Sequence, residues 1–223
     1  CANKERAQIM HKYYKLASEP LAIRNISISY DKQTLQIARK NKILNEIRIL
    51  YQGDVSFERG LKSIINLHAY LPEKYKIVIL GGGPNLEDIK KIIQDLNIYN
   101  KIECLGRRPL KELPEIMAKC DIGIVSYSYK GLNNIYCSPN KVYEYAQAGL
   151  PIICTDQPSL KKIIDSYKIG IYVSENDFKN PAVLCNKIIE LYNNKINFYE
   201  NLQNFTRNNT AEKELAKLVK VFS

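Results

Sequence analysis

The stretch KIVILGGGPNLEDIKKIIQDLNIYNKIECL, residues 76–105, decides the fold. It opens on an aliphatic run at 76–80 and passes through Gly81-Gly82-Gly83-Pro84. Apolar residues then recur at Leu86, Ile89, Ile93 and Leu96, and a second apolar run follows at 101–105. A strand-sized run, a period of three to four and another strand-sized run make a βαβ unit, whose two strands are parallel. Working outward, a run at 47–52 precedes Leu61, Ile64, Ile65, His68 and Leu71 at helical spacing. Leu110, Leu113 and Met117 lead to runs at 122–126, 151–154 and 169–173. This alternation predicts an α/β fold, a Rossmann-like doubly wound parallel sheet of about six strands with flanking helices.

The two ends read differently. Residues 1–20 predict a helix carrying Ala7, Met10 and Tyr14 and stopping near Pro20, with an extended piece over 21–29. Residues 31–45 are a polar Lys/Gln/Asn-rich stretch to which the pattern assigns no element. The last forty residues are helical, with Leu184, Ile188, Ile189 and Leu191, then Leu215, Leu218 and Val219, as apolar stripes.

Composition removes several classes. At 45% hydrophobic and 25% charged residues, the 223-residue chain is an ordinary globular one with enough length for a core of its own. No apolar run approaches the roughly 20 residues of a membrane-spanning helix. No signal-peptide pattern opens the chain, and without an initiator Met it reads as part of a longer protein. Six scattered cysteines without a C-x-x-C pair suit reduced, buried thiols in cytoplasm. With His only at 11 and 68, no metal is expected. The 33 Lys and Arg against 23 Asp and Glu leave a net charge of +10, which favours anionic partners without choosing among them.

In an open doubly wound sheet, ligands bind beyond the carboxyl ends of the strands. After the first run, Gly53 permits close backbone approach, and Arg59 can grip a diphosphate through two N–H groups. After the second, Gly82 and Gly83 with Pro84 make an anion seat, although Leu86 stands where a G-x-G-x-x-G fingerprint needs glycine. After the third, Arg107 and Arg108 can flank a base or phosphate. The most informative stretch is 138–153. Pro139 or Asn140 opens a short helix, Gly149 closes it, and the amides of Asn140, Lys141 and Val142 are expected to face the ligand. One turn on, Glu144 is suited to accept hydrogen bonds from ribose hydroxyls.

Taken in order, these motifs resemble the donor-binding C-terminal domain of family-4 retaining glycosyltransferases of the GT-B fold. The match runs from about residue 47 to 190. It consists of Tyr51-Gln52-Gly53 with Arg59-Gly60, Ile79-Leu80-Gly81-Gly82-Gly83-Pro84, and Ile102-Glu103-Cys104-Leu105-Gly106. Ala118-Lys119-Cys120-Asp121-Ile122-Gly123-Ile124-Val125 follows, and then Pro139-Asn140-Lys141-Val142-Tyr143-Glu144-Tyr145 with Gly149-Leu150-Pro151-Ile152.

The resemblance implies sugar transfer from a nucleotide sugar, such as a UDP- or GDP-sugar, with retention and with no cofactor. It casts Arg59, Lys141 and Glu144 as the catalytic set. Gly53, Gly82, Gly83, Arg107, Arg108, Tyr136, Pro139, Asn140 and Val142 become donor-binding residues. Two departures stand out. Asp54 or Ser56 occupies the place of a second basic residue, leaving Lys141 as the alternative supplier of charge. Tyr136 replaces the first glutamate of a Glu-x7-Glu element that ends at Glu144, while the loop 129–137 is still expected to approach the donor sugar. The family also implies a domain division. Residues 1–46 would end an N-terminal acceptor domain, 47–195 would bind the donor, and 196–223 would cross back to that acceptor domain with an exposed apolar patch.

On this reading the acceptor belongs to cell-envelope glycan, capsule or lipopolysaccharide synthesis. The chain works in the cytoplasm, at the inner face of the cytoplasmic membrane, where anionic lipid is a further partner. The alternative is a non-catalytic nucleotide-sugar binding module. Sugar-nucleotide 2-epimerases share the fold but use carboxylates and histidine, and nucleic-acid binding rests on charge alone, without a stacking motif.

Overall fold

The computed structural model describes residues 1–27 and 29–222. Six strands, β1 (Ile47–Gln52), β2 (Tyr75–Leu80), β3 (Ile102–Gly106), β4 (Ile122–Val125), β5 (Ile152–Thr155) and β6 (Gly170–Val173), form a parallel sheet ordered β3-β2-β1-β4-β5-β6. Each starts and ends within one residue of its run in the sequence. The helices are α1 (Lys4–Tyr13), α2 (Lys32–Lys40), α3 (Leu61–Asn66), α4 (Leu86–Asp95), α5 (Leu113–Ala118) and α6 (Leu132–Ile135). They continue with α7 (Lys141–Gln147), α8 (Pro158–Tyr167), α9 (Glu175–Lys179), α10 (Pro181–Asn193), α11 (Tyr199–Asn208) and α12 (Ala211–Phe222).

Side chains of successive strand residues point to opposite faces, so an apolar strand feeds two layers. Ile47, Ile49 and Tyr51 of β1 and Ile77 and Ile79 of β2 join Leu61 and Ile64 of α3, Ile89 of α4 and Ile188 of α10. Leu50, Val78 and Leu80 join Met117 of α5, Tyr145 of α7, Leu160 of α8 and Phe205 of α11. Both faces are thereby covered, as a parallel sheet requires. Phe205 stacks on Tyr143 at 5.5 Å and meets Tyr167 edge-on at 4.8 Å, which fastens α11 to α7 and α8.

Three parts of the sequence reading change. The polar stretch 31–45 contains α2: Asp31 caps it by accepting from the Thr34 N–H at 2.8 Å, and Leu35 and Ala38 are buried. Its apolar stripe is only two residues wide, too thin to stand out among the lysines. The first helix ends at Tyr13, well before Pro20, because Lys15 takes a left-handed φ of 49°. Leu110 lies in a 3₁₀ turn ahead of α5 and is 83% exposed, so only Leu113 and Met117 of that stripe enter the core.

The extended piece expected over 21–29 includes residue 28, which lies outside the described residues. Ile26 of that piece shares a buried layer with Leu35, Leu50 and Tyr145. On α12, Leu215 and Val219 are exposed. Among the described residues no helix is long and apolar enough to cross a membrane.

Candidate functional site

The strand order reverses between β1 and β4, and the crevice beyond their carboxyl ends is where such sheets take ligands. The first three strand ends are locked together through backbone. The Gly53 N–H donates to the Leu80 carbonyl and the Gly81 N–H to the Gly106 carbonyl, both at 2.9 Å. A Cβ on Gly81 would lie 1.9 Å from the Gly53 oxygen, and one on Gly83 would lie 2.5 Å from the Val55 oxygen. Those two glycines serve the contact between loops. Pro84 does not open the next helix, since α4 begins at Leu86. Over Gly82 lies the Arg107 side chain, its Nε 2.4 Å from where a Cβ would be.

On α7, residues i, i+3 and i+4 share a face. Here they are Lys141, Glu144 and Tyr145. Tyr145 fixes the helix: its ring covers Gly123, and its hydroxyl accepts from the Gln52 N–H at 2.9 Å. This brings Lys141 Nζ to 2.2 Å from the position of a Gly53 Cβ and 5.5 Å from the Tyr51 ring centre. Only glycine lets the ammonium come so close. Lys141 has no salt bridge among the described residues. Burial, then the nearby Arg59 charge, pull its pKa down to about 8 against the opposing pull of Glu144 and Asp54.

Both Glu144 oxygens already accept a hydrogen bond, Oε1 from Ser27 Oγ at 2.8 Å and Oε2 from Gln52 Nε2 at 2.7 Å. A carboxylate oxygen has two lone pairs, so each can still accept from a ligand hydroxyl. Arg59 ends a 3₁₀ turn capped by Ser56. Its guanidinium lies 4.5 Å over the Tyr127 ring and donates to Asn134 Oδ1 at 2.9 Å. Tyr127 is held in turn by Thr155 and Gln157.

Arg59, Lys141, Glu144, Gly53, Gly82 and Arg107 therefore gather around the ends of β1 to β3. Arg108 lines a separate hollow with Arg48, Glu103 and Glu115. The Val142 amide is engaged by the Pro139 carbonyl at 3.4 Å, while Asn140 precedes α7 without a side-chain cap bond. Pro139 is buried, and Tyr136 is half-buried with its carbonyl taken by Arg6 and Asn3. Ser27, Tyr127 and Arg6 were not singled out from sequence, while Gln52 lay in a quoted motif and Asn134 in the loop 129–137 without a role assigned to either. For Ser27 and Arg6 no local signal exists, because their partners lie more than a hundred residues away.

A cavity of about 640 Å³ lies between α1, the 19–24 segment and α8, with Tyr143 of α7 in its wall. The Arg59, Lys141 and Glu144 side chains do not line it. Among the described residues no cluster of three His, Cys, Asp or Glu could hold a metal ion. The cysteines are free thiols, and burial raises Cys120 to about 12 and Cys137 to about 11, so both are protonated at neutral pH.

The model of the family described as Glycosyl transferases group 1 matches residues 32–211. The chain belongs to this family. An uncharacterized glycosyltransferase of Methanocaldococcus jannaschii is 27% identical over 196 residues, covering 86% of this chain and 47% of its own length. The Campylobacter jejuni N-acetylgalactosamine-N,N'-diacetylbacillosaminyl-diphospho-undecaprenol 4-alpha-N-acetylgalactosaminyltransferase is 26% identical over 140 residues, covering 61% of this chain and 34% of its own. The Anabaena HepE structure in complex with UDP-glucose superposes with a TM-score of 0.77 at 15% identity, over 99% of this chain and 62% of that one. The group 1 chain thus has one Rossmann-like half of the GT-B architecture, and it spans about half the length of the Methanocaldococcus jannaschii relative and of a second one from that organism, 47% of one and 57% of the other.

Proposed function

We propose that this chain is the donor-binding half of a retaining glycosyltransferase that moves a sugar from a nucleotide sugar, a UDP- or GDP-sugar, to an acceptor in cell-envelope glycan, capsule or lipopolysaccharide synthesis. The observation that carries this reading is the Lys141 ammonium, free of any salt bridge among the described residues and seated against Gly53 at the end of β1. A half-buried cation with no salt bridge is an electrostatic cost that a bound diphosphate reduces. Its neighbour Arg59 adds a planar donor fork suited to phosphate oxygens.

In this mechanism Glu144, steadied by Ser27 and Gln52, accepts hydrogen bonds from ribose hydroxyls and fixes the nucleoside. Arg59 and Lys141 face the diphosphate and stabilise the charge that grows on it as the sugar departs. Donors held in place beforehand contribute most where charge develops. The reaction needs no metal or cofactor in this scheme. The lipid-linked substrate in the name of the Campylobacter relative supports an envelope acceptor at an anionic membrane face. Residues 1–46 and 196–223 then belong to the acceptor side, around a donor domain at 47–195.

The test is calorimetric titration with UDP, GDP, ADP and their common sugar conjugates, repeated on Arg59→Ala and Glu144→Ala. The expected result is preference for one nucleotide, weakened at least tenfold by either substitution. A folded chain that binds none of them would overturn the reading.

A further inference from the structure

Helix α6 is a single turn of four residues, and none of them is buried. One turn is too short to persist on its own hydrogen bonds. Something outside must hold it, and the structure supplies two guanidinium groups. From the β1 side, Arg59 donates to Asn134 Oδ1 at 2.9 Å. From α1, Arg6 donates through Nη2 to Asn133 Oδ1 at 2.7 Å and the Asn133 carbonyl at 3.0 Å, and through Nε to the Tyr136 carbonyl at 2.6 Å.

Arg6 is itself braced. Its N–H donates to Asn3 Oδ1 at 2.8 Å, while Asn3 Nδ2 donates to the Tyr136 and Cys137 carbonyls at 3.2 and 3.1 Å. Ser138 Oγ adds a bond to the Ala2 carbonyl at 3.0 Å. Both arginine charges also act on the Tyr127 phenol, opposing the burial that raises it to about 12. Arg6 and Arg59 therefore approach the same place at the end of β4 from different parts of the chain.

We propose that Arg6 is a positioning residue for the donor sugar: with Arg59 it clamps α6, holding residues 131–137 beside the diphosphate site, within reach of the sugar that a bound diphosphate would carry. This rests on the donor-site reading above. The clamp offers a physical answer to the tyrosine at 136. Loop geometry there is set through the Tyr136 carbonyl and the Asn133-Asn134 pair, with no carboxylate at that position. Because Arg6 rides on α1, the segment expected to lead from the acceptor side holds the donor loop directly.

Two readouts test this on the full chain. In the first, Arg6→Ala, Arg6→Lys and Asn133→Ala are titrated with the nucleoside diphosphate that the wild type prefers and with its sugar conjugate. The expected result for Arg6→Ala is diphosphate affinity within twofold of wild type and sugar-conjugate affinity reduced about tenfold, with Arg6→Lys and Asn133→Ala between. Equal loss for both ligands, or no loss for either, would overturn the sugar role. In the second, hydrogen exchange of the Asn134, Ile135 and Tyr136 amides is followed without ligand. Faster exchange in Arg6→Ala, with unchanged exchange in β1 and β2, supports the clamp, and unchanged exchange at α6 overturns it. If the wild type binds no nucleotide, the donor reading and the sugar role both fall, while the exchange result still decides the clamp.

Discussion

Lys141 holds a charge where its surroundings disfavour one. Its pKa falls from 10.5 to about 8 through burial and then Arg59, so at pH 7 the protonated form is retained at a cost to the free chain. Lys141→Met is expected to stabilise the ligand-free chain by about 1 kcal/mol, a value reduced for the solvent that still reaches the ammonium. The same variant is expected to lose at least tenfold in nucleotide affinity. For a lysine with a depressed folded pKa, the folding penalty applies below about 8 and fades as pH rises through 8 toward 10.5. Nucleotide affinity should follow the opposite course in wild type, falling above pH 8, and lose that dependence in Lys141→Met. Chemical denaturation and calorimetry across pH 6.5 to roughly 9.5 check both. Lys141 and Glu144 were readable because they share one face of a short helix. The support from Ser27 was not, since a hydroxyl 117 residues away in sequence leaves no periodic trace.

At the scale of elements, the strands were legible because a parallel sheet covered on both faces needs nearly continuous apolar runs. Helices were legible only where their buried stripe was wide. α4 buries Ile89 and Ile93 and packs Leu86 and Ile92 against the same core, whereas α2 rests on Leu35, Ala38 and a cap. Loop glycines carried a second ambiguity. A glycine that admits a ligand and one that admits another loop look alike in sequence, and only coordinates separate Gly53 beside Lys141 from Gly81 beside the Gly53 carbonyl. Gly81→Ala forces a methyl into backbone at 1.9 Å and an alanine into a φ of 144°. A loss of about 3 kcal/mol or more is expected in urea denaturation, since neither loop can yield without breaking the bonds between strand ends.

For the whole molecule, the far ends of the chain are tied by one buried carboxylate. Glu214 of α12 accepts from the Arg24 guanidinium and N–H and from Lys217. Burial alone would raise its pKa, but the Arg24 and Lys217 hydrogen bonds prevail and hold it at about 2. A carboxylate with a depressed folded pKa contributes stability that is fully present above the unfolded value near 4.5 and lost as pH falls toward 2. That contribution is on the order of 3 kcal/mol. Wild type is therefore expected to weaken over that window. Glu214→Gln should begin less stable at pH 7 and change less on acidification, as followed by thermal unfolding at several pH values.

The middle of the sheet is a short join. β1 and β2 run together over six residue pairs, but β1 and β4 over three, from Ile49 with Ile122 to Tyr51 with Ile124. Across that short seam Tyr145 serves as a bolt, its hydroxyl reached by the Gln52 N–H and lying 3.4 Å from the carbonyls of Leu50 and Ile124. The helix that carries the bolt also carries Lys141 and Glu144. An anion bound at Lys141, beside Gly53 at the end of β1, would join that helix to β1 by a second contact. Occupancy would then be felt as stiffness across that seam.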